Sequence, residues 1–151
     1  MPARRPINAP PYEETIRRLS SDLYMARRTI VDLMPEPAQR ILDSFDGEDR
    51  REVWIWAEKA ADQIVGLCET VEQKYYDGYP LGAPRARCPL CGGGSSTPYD
   101  KGFAIPEGLF RHLLGSHNSR QCDVFAAATQ LALDGADMRA SWPKPKMPKK
   151  R

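Results

Sequence analysis

Two cysteines and two histidines are the residues of this 151-residue chain whose types and spacing point most directly to chemistry. Cys88 and Cys91 form a Cys-x2-Cys pair, twenty residues separate Cys91 from His112, and His112 and His117 form a His-x4-His pair. Two thiolates two residues apart grip one metal ion, and two imidazoles on neighbouring turns of a helix complete a tetrahedral shell of the kind zinc prefers. Gly92, Gly93 and Gly94 allow the backbone to turn tightly around the sulfurs, while Pro89 stiffens the first half of the knuckle. The expected ligands of a structural Zn2+ are therefore Cys88, Cys91, His112 and His117. Cys122 is an alternative fourth ligand in place of His117; otherwise Cys122 and Cys68 read as buried free thiols.

Four protein ligands leave no open coordination position, and catalytic zinc needs one. Both histidines of the chain are used as ligands, so none remains for proton transfer. No phosphate-cradling glycine loop and no nucleophile elbow occurs. Glu107, the carboxylate nearest the ligands in sequence, suits a helix's first turn as a dipole partner. A protein that is not an enzyme is expected, with no catalytic residues.

The elements that must position these ligands are mainly helical. From Pro10-Pro11 onward, Ile16, Leu19, Leu23, Ala26, Ile30 and Leu33 step by 3, 4, 3, 4 and 3 residues, a heptad-like seam that ends before Pro35. Such a seam packs either inside its own domain or against a second copy, so a homodimer through the helix at about 12–34 is one arrangement it allows. A short helix is expected from about Pro37 to Phe45. A longer one is expected from about Asp49 to Gln73, with Val53, Trp56, Ala57, Ala60, Ile64, Leu67, Cys68 and Val71 on its apolar face. Trp54 falls off that face, as a residue of a helix buried on two sides or as an anchor for a partner. Residues 75–87 read as a linker whose tyrosines either cover a neighbouring core or, beside Arg85 and Arg87, stack on bases. A last helix starts near Asn118 and Ser119, carries Cys122, Phe125, Ala126, Thr129 and Leu133 on one face, and ends at Gly135. The resulting division is a disordered tail at 1–10, a helical region at 11–74, the linker, a metal unit with its helix at 88–135, and a basic flexible tail at 136–151.

Residues 86–118 resemble the Cys2His2 zinc finger. Beyond the four ligands, Phe103 lies six residues before Leu109, and Leu109 three before His112, as in that family. The resemblance implies a ββα shape in which Phe103 and Leu109 form a small core clamped by the metal, with Pro106 in the first helical turn. The loop is longer than the family's usual dozen or so residues between second Cys and first His, and the surplus falls near Gly92 to Asp100. At the positions where the family reads bases stand Ile105, Gly108 and Arg111, of which only Arg111 suits a base edge. The resemblance thus implies zinc and ββα geometry, without sequence-specific DNA recognition.

Charge is distributed unevenly. Of the 22 basic residues, Arg4, Arg5, Lys144, Lys146, Lys149, Lys150 and Arg151 lie in the tails, leaving 15 against 20 acidic residues between positions 6 and 140. The body is acidic, which disfavours a broad basic face for nucleic acid. Arg85, Arg87, Arg111, Lys144, Lys146, Lys149, Lys150 and Arg151 are the residues expected to meet phosphate if nucleic acid is bound. No apolar run is long enough for a membrane span, and the N-terminus lacks a secretory core. A non-secreted cytoplasmic protein, or a nuclear one in a eukaryote, is expected. The functional expectation is a zinc-binding regulator or adaptor associated with nucleic acid or the machinery that handles it. The alternatives are a protein–protein interaction module, a small inhibitor of phage type docking through the acidic helical body, or a structural subunit of a larger assembly.

Overall fold

The computed structural model describes residues 11–69, 72–94, 102–117 and 120–144. Lys146, Lys149, Lys150, Arg151, the proposed N-terminal tail and the proposed caps Asn118 and Ser119 lie outside the described residues. As expected, the chain is mainly α-helical with a small antiparallel sheet. In chain order the elements are α1 (Pro11–Asp32), α2 (Glu36–Leu42), α3 (Glu52–Val65), β1 (Glu72–Tyr76), β2 (Tyr79–Ala86), β3 (Phe103–Ala104), α4 (Glu107–Leu114) and α5 (Asp123–Ser141).

One continuous apolar core joins α1, α2, α3, the metal segment, α4 and α5. Val31 of α1, Ile64 of α3, Leu109 and Leu113 of α4 and Phe125 of α5 are fully buried in it. Each such side chain stabilises the fold by about 1.5–3 kcal/mol through removal of apolar surface from water. The apolar face expected of α3 is found: Val53, Ala57, Ala60 and Ile64 are buried. Trp56 shows why it points inward and Trp54 does not. Its ring stacks on Phe125 at 6.3 Å and tilts against Phe45 at 5.9 Å, and its Nε1 donates to Ser44 Oγ at 2.8 Å. Trp54 and Ile55 are each 61% exposed.

Three stretches differ from the sequence reading. The helix expected to reach Gln73 ends at Val65, where Gly66 takes the C-cap and Leu67 and Cys68 close short turns onto Ile64 and Val65 carbonyls. The stretch read as a linker is instead a β-hairpin, β1 against β2, with Tyr76 opposite Tyr79 and Glu72 opposite Arg85. Its turn is Asp77-Gly78, both at positive φ (51° and 82°), the mirror-image turn that matches strand twist and favours Asp-Gly. Tyr75, Tyr76 and Tyr79 are exposed and cover no core.

The third difference is α5, which continues through Gly135 to Ser141. The guanidinium of Arg139 occupies the space where a side chain at position 135 would sit, donates from Nε to the Gly47 carbonyl at 2.9 Å, and lies 5.7 Å above the Phe45 ring. Gly135 therefore makes room for a tether instead of ending the helix. Helix α5 contacts α1, α2, α3 and α4. Its buried residues accordingly spread beyond the expected stripe to Ala127, Ala128, Ala132 and Ala136, while Thr129 donates to the Phe125 carbonyl at 2.9 Å.

Beside the metal segment, β2 and β3 pair antiparallel (Arg85 with Ala104, Ala86 with Phe103), and α4 follows directly. Gly102 approaches Ala86 so closely that a Cβ there would sit 2.3 Å from the Ala86 carbonyl oxygen. Its φ of +128° excludes other residues on backbone grounds as well.

Phe125→Ala should lower the unfolding free energy by about 3–5 kcal/mol, because the vacated space sits amid packed rings and aliphatic groups. Ile55→Ala should change it by less than about 0.5 kcal/mol. Urea titrations followed by far-UV circular dichroism measure both; equal effects would show that the core is misassigned.

Candidate metal centre

Three separate elements deliver the sulfurs and the imidazole to one place. Cys88 follows β2, whose Ala86 is fully buried, and the knuckle closes by two backbone bonds, Cys88 N–H to Gly93 O (3.0 Å) and Gly92 N–H to Cys88 O (2.9 Å). Gly92 supports that turn at φ +70°. Leu90, buried at the tip, anchors the knuckle in the core. His112 projects from the last turn of α4, its ring stacked on Phe103 at 4.3 Å. Leu109, one turn earlier, is fully buried, so the two core residues implied by the finger resemblance do pack against the site.

The fourth group is Cys122. Helix α4 stops at Gly115, which takes φ +82° and ψ 155° and turns the chain away. The chain returns so that the Cys122 N–H donates to the His112 carbonyl at 2.7 Å, and Cys122 then caps α5. Cys88, Cys91, His112 and Cys122 offer one donor atom each, and the four donors lie within 4.8 Å of one another. Cys88 Sγ is 3.9 Å from Cys122 Sγ, and Cys91 Sγ is 3.3 Å from His112 Nε2. A disulfide would need about 2.05 Å between sulfurs, and all four cysteines are free thiols. This Cys3His group could hold a metal ion.

His117, expected as the fourth ligand, lies outside the group and is exposed. The correction has a plain cause. A continuous helix would carry His117 back toward His112, but the positive φ and extended ψ at Gly115 end that helix first. Cys122 was weighed in the sequence only as a substitute. Two signals marked it more strongly: a glycine between the two histidines that breaks the helix, and a cysteine at the start of the next one. Cys68 is not part of the group; its thiol donates to the Val65 carbonyl at 2.8 Å, and burial pushes its pKa up.

The electrostatics follow from this packing. The Cys122 thiol hydrogen-bonds to the Cys88 sulfur, and the amides of Cys91 and Leu90 donate to it too, so Cys88 is held well below the ordinary thiol range despite burial. The same contact, followed by burial, pushes Cys122 up. Burial raises Cys91 as well, opposed by the Gly93 amide that donates to its sulfur at 3.3 Å. Without a metal, this packing therefore favours the thiolate at Cys88 and the protonated thiol at Cys91 and Cys122.

Among the described residues, those singled out for nucleic acid or partner contact sit on β2 and the segment after it, on α3, on α4 and just beyond α5. Arg85 Nη1 donates to the Gly102 carbonyl at 3.0 Å and so braces the sheet. Arg87 reaches the Gly92 carbonyl at 3.5 Å, beside the knuckle. Arg111 is exposed on α4, 3.9 Å from Glu107. Lys144 pairs with Glu48 at 3.1 Å. Trp54, on α3, borders a groove of about 440 Å³ with Ile30 of α1 and Leu133 of α5. No described helix is long and apolar enough to cross a membrane. Comparison with protein-family models, curated proteins and solved structures finds no match to this chain.

Cys122→Ser should reduce bound metal from one equivalent to well below it, whereas His117→Ala should leave the content unchanged. Metal analysis of the two purified variants checks this, and the opposite pattern would return the fourth position to His117.

Proposed function

We propose that the chain is a non-enzymatic, zinc-stapled adaptor that acts by docking on other macromolecules. The observation carrying this reading is the closed Cys3His group set into the edge of the common core. Zinc bonds of about 2.3 Å to sulfur and 2.05 Å to nitrogen in a tetrahedron give edges of about 3.8 Å between sulfurs and about 3.6 Å between sulfur and nitrogen. The measured 3.9 and 3.3 Å are close to both. Soft thiolates with one imidazole favour zinc over hard cations. Three thiolates and a neutral imidazole around Zn2+ carry one net negative charge. The amides donating to sulfur offset part of it, as does Arg87 beside the knuckle.

Four protein donors leave the ion no position for water or substrate, so its contribution is to the fold. It ties the β2–β3 knuckle to α4 and α5, on the order of 10 kcal/mol of binding energy expressed as stability. The parts left free to act are surfaces. Trp54 and Ile55 stand out of α3 at 61% exposure each, a pair of large apolar side chains suited to anchor a protein partner. A second reading, association with nucleic acid, is favoured by Arg111, which is 67% exposed with only a 3.9 Å ion pair restraining it. Here the finger-like helix α4 would meet phosphate with little base readout.

Removing the metal with a chelator should abolish the cooperative thermal transition of the described body, and adding zinc should restore it. Unchanged melting would remove zinc from the fold. Loading must also displace protons from thiols held above their ordinary range, Cys91 and Cys122. Zinc affinity should therefore fall as pH is lowered, by about 10-fold per pH unit for each proton displaced. Competition titrations with a chromophoric chelator read the slope; a pH-independent affinity would contradict the ligand set.

The two docking readings separate by salt. Retention of a host protein that survives nuclease and high salt, and is lost in Trp54→Ala with metal content unchanged, is expected for the adaptor. Binding to a short labelled duplex that weakens steeply with salt and is reduced by Arg111→Ala would favour nucleic acid instead.

A further inference from the structure

Helix α1 leaves a long apolar seam uncovered. Tyr12, Ile16, Leu19, Leu23 and Leu33 are 52–76% exposed, and Ile30 is 37% exposed. Residues 12–26 are exposed on every side. The helix touches its own body near its C-terminal end, where Val31 is fully buried, Arg27 and Ile30 border the groove against α5, and Arg28 bonds to Asp32 and to Asp43 (2.8 Å). A helical stretch that packs on nothing is marginal in water, because helices of about 12–15 residues lack the propensity to stand alone. The seam therefore requires an occupant.

We infer that a second copy of this chain covers it, forming a parallel two-stranded coiled coil over residues 12–33. The seam runs without interruption at alternating spacings of four and three, with Ile16, Leu23 and Ile30 in the a positions and Leu19, Ala26 and Leu33 in the d positions. Isoleucine at a with leucine at d is the combination that favours two parallel strands. In that arrangement each g position meets the e position five residues on in the partner helix. Asp22 occupies g and Arg27 occupies e. Among the described residues neither has an ion-pair partner within the chain. Two-fold symmetry forms the Asp22–Arg27 pair twice. An antiparallel pairing sets g beside g and e beside e, so these two charges would fall on opposite sides of the seam. The complementarity therefore selects both the partner and its direction. The interface involves no metal ligand and does not depend on how the metal centre is read.

The test is the mass of the zinc-loaded full chain by sedimentation velocity between about 1 and 200 µM, a range suited to an interface of this size. A concentration-dependent dimer is expected. Leu23→Glu should abolish it; because Leu23 is half exposed and outside the core, the monomer should keep one equivalent of metal while losing helicity from the uncovered stretch of α1. Asp22→Arg and Arg27→Asp should each weaken association about fivefold or more, since each breaks both symmetric pairs and brings like charges together. The double swap should restore it. A monomer throughout the range would assign the seam to a different protein and overturn the inference, as would a species larger than a dimer. A double swap no tighter than either single variant would overturn the parallel register.

Discussion

The 2.7 Å hydrogen bond from the Cys122 amide to the His112 carbonyl determines which side chains can face one another in this molecule. It fixes the start of α5 against the last turn of α4. Because Cys122 is also the N-cap of α5, the same bond aims the helix along the core, where Phe125 meets Trp56. The sulfur of Cys122 then lies beside that of Cys88, and the knuckle, two helices and the core become parts of one assembly. A helix N-terminus also favours negative charge, so the site is suited to a sulfur that must give up its proton.

How much of this could be read from the sequence depended on how local each feature is. Cys88, Cys91 and His112 were legible, since a Cys-x2-Cys knuckle and a helix carrying its ligand one turn after Leu109 need only short-range geometry. Cys122 was weighed and set second because its approach depends on a long-range event, the reversal at Gly115 followed by docking of α5. His117 imitated a ligand by spacing alone. The helical core faces were legible from periodicity, as Val53, Ala57, Ala60 and Ile64 illustrate. The hairpin was missed although Asp77-Gly78 announces it, because the tyrosines around it lack the apolar alternation of a half-buried strand. Gly135 was misread because a glycine beside a long side chain can serve as space for that side chain, and sequence alone does not reveal the Arg139 that fills it.

The surface division follows from the same packing. A core built largely from alanines and medium aliphatic residues lets α5 sit close to four other helices. Apolar residues too large or too far from that centre are left outside, on α1 and at Trp54 and Ile55. A metal held by the Cys3His group, as proposed above, would share the work of holding such a body together. Small domains with a modest core commonly depend on such a staple.

The order of the ligands along the chain has a consequence for synthesis. Cys88, Cys91 and His112 emerge from the ribosome before Cys122 does, and His117 emerges between them. A nascent chain that has reached His117 but not Cys122 therefore carries two thiols and two imidazoles at spacings able to capture an ion by themselves. Cys122, arriving last, can complete the Cys3His group only once the chain has reversed at Gly115 and the start of α5 has been made.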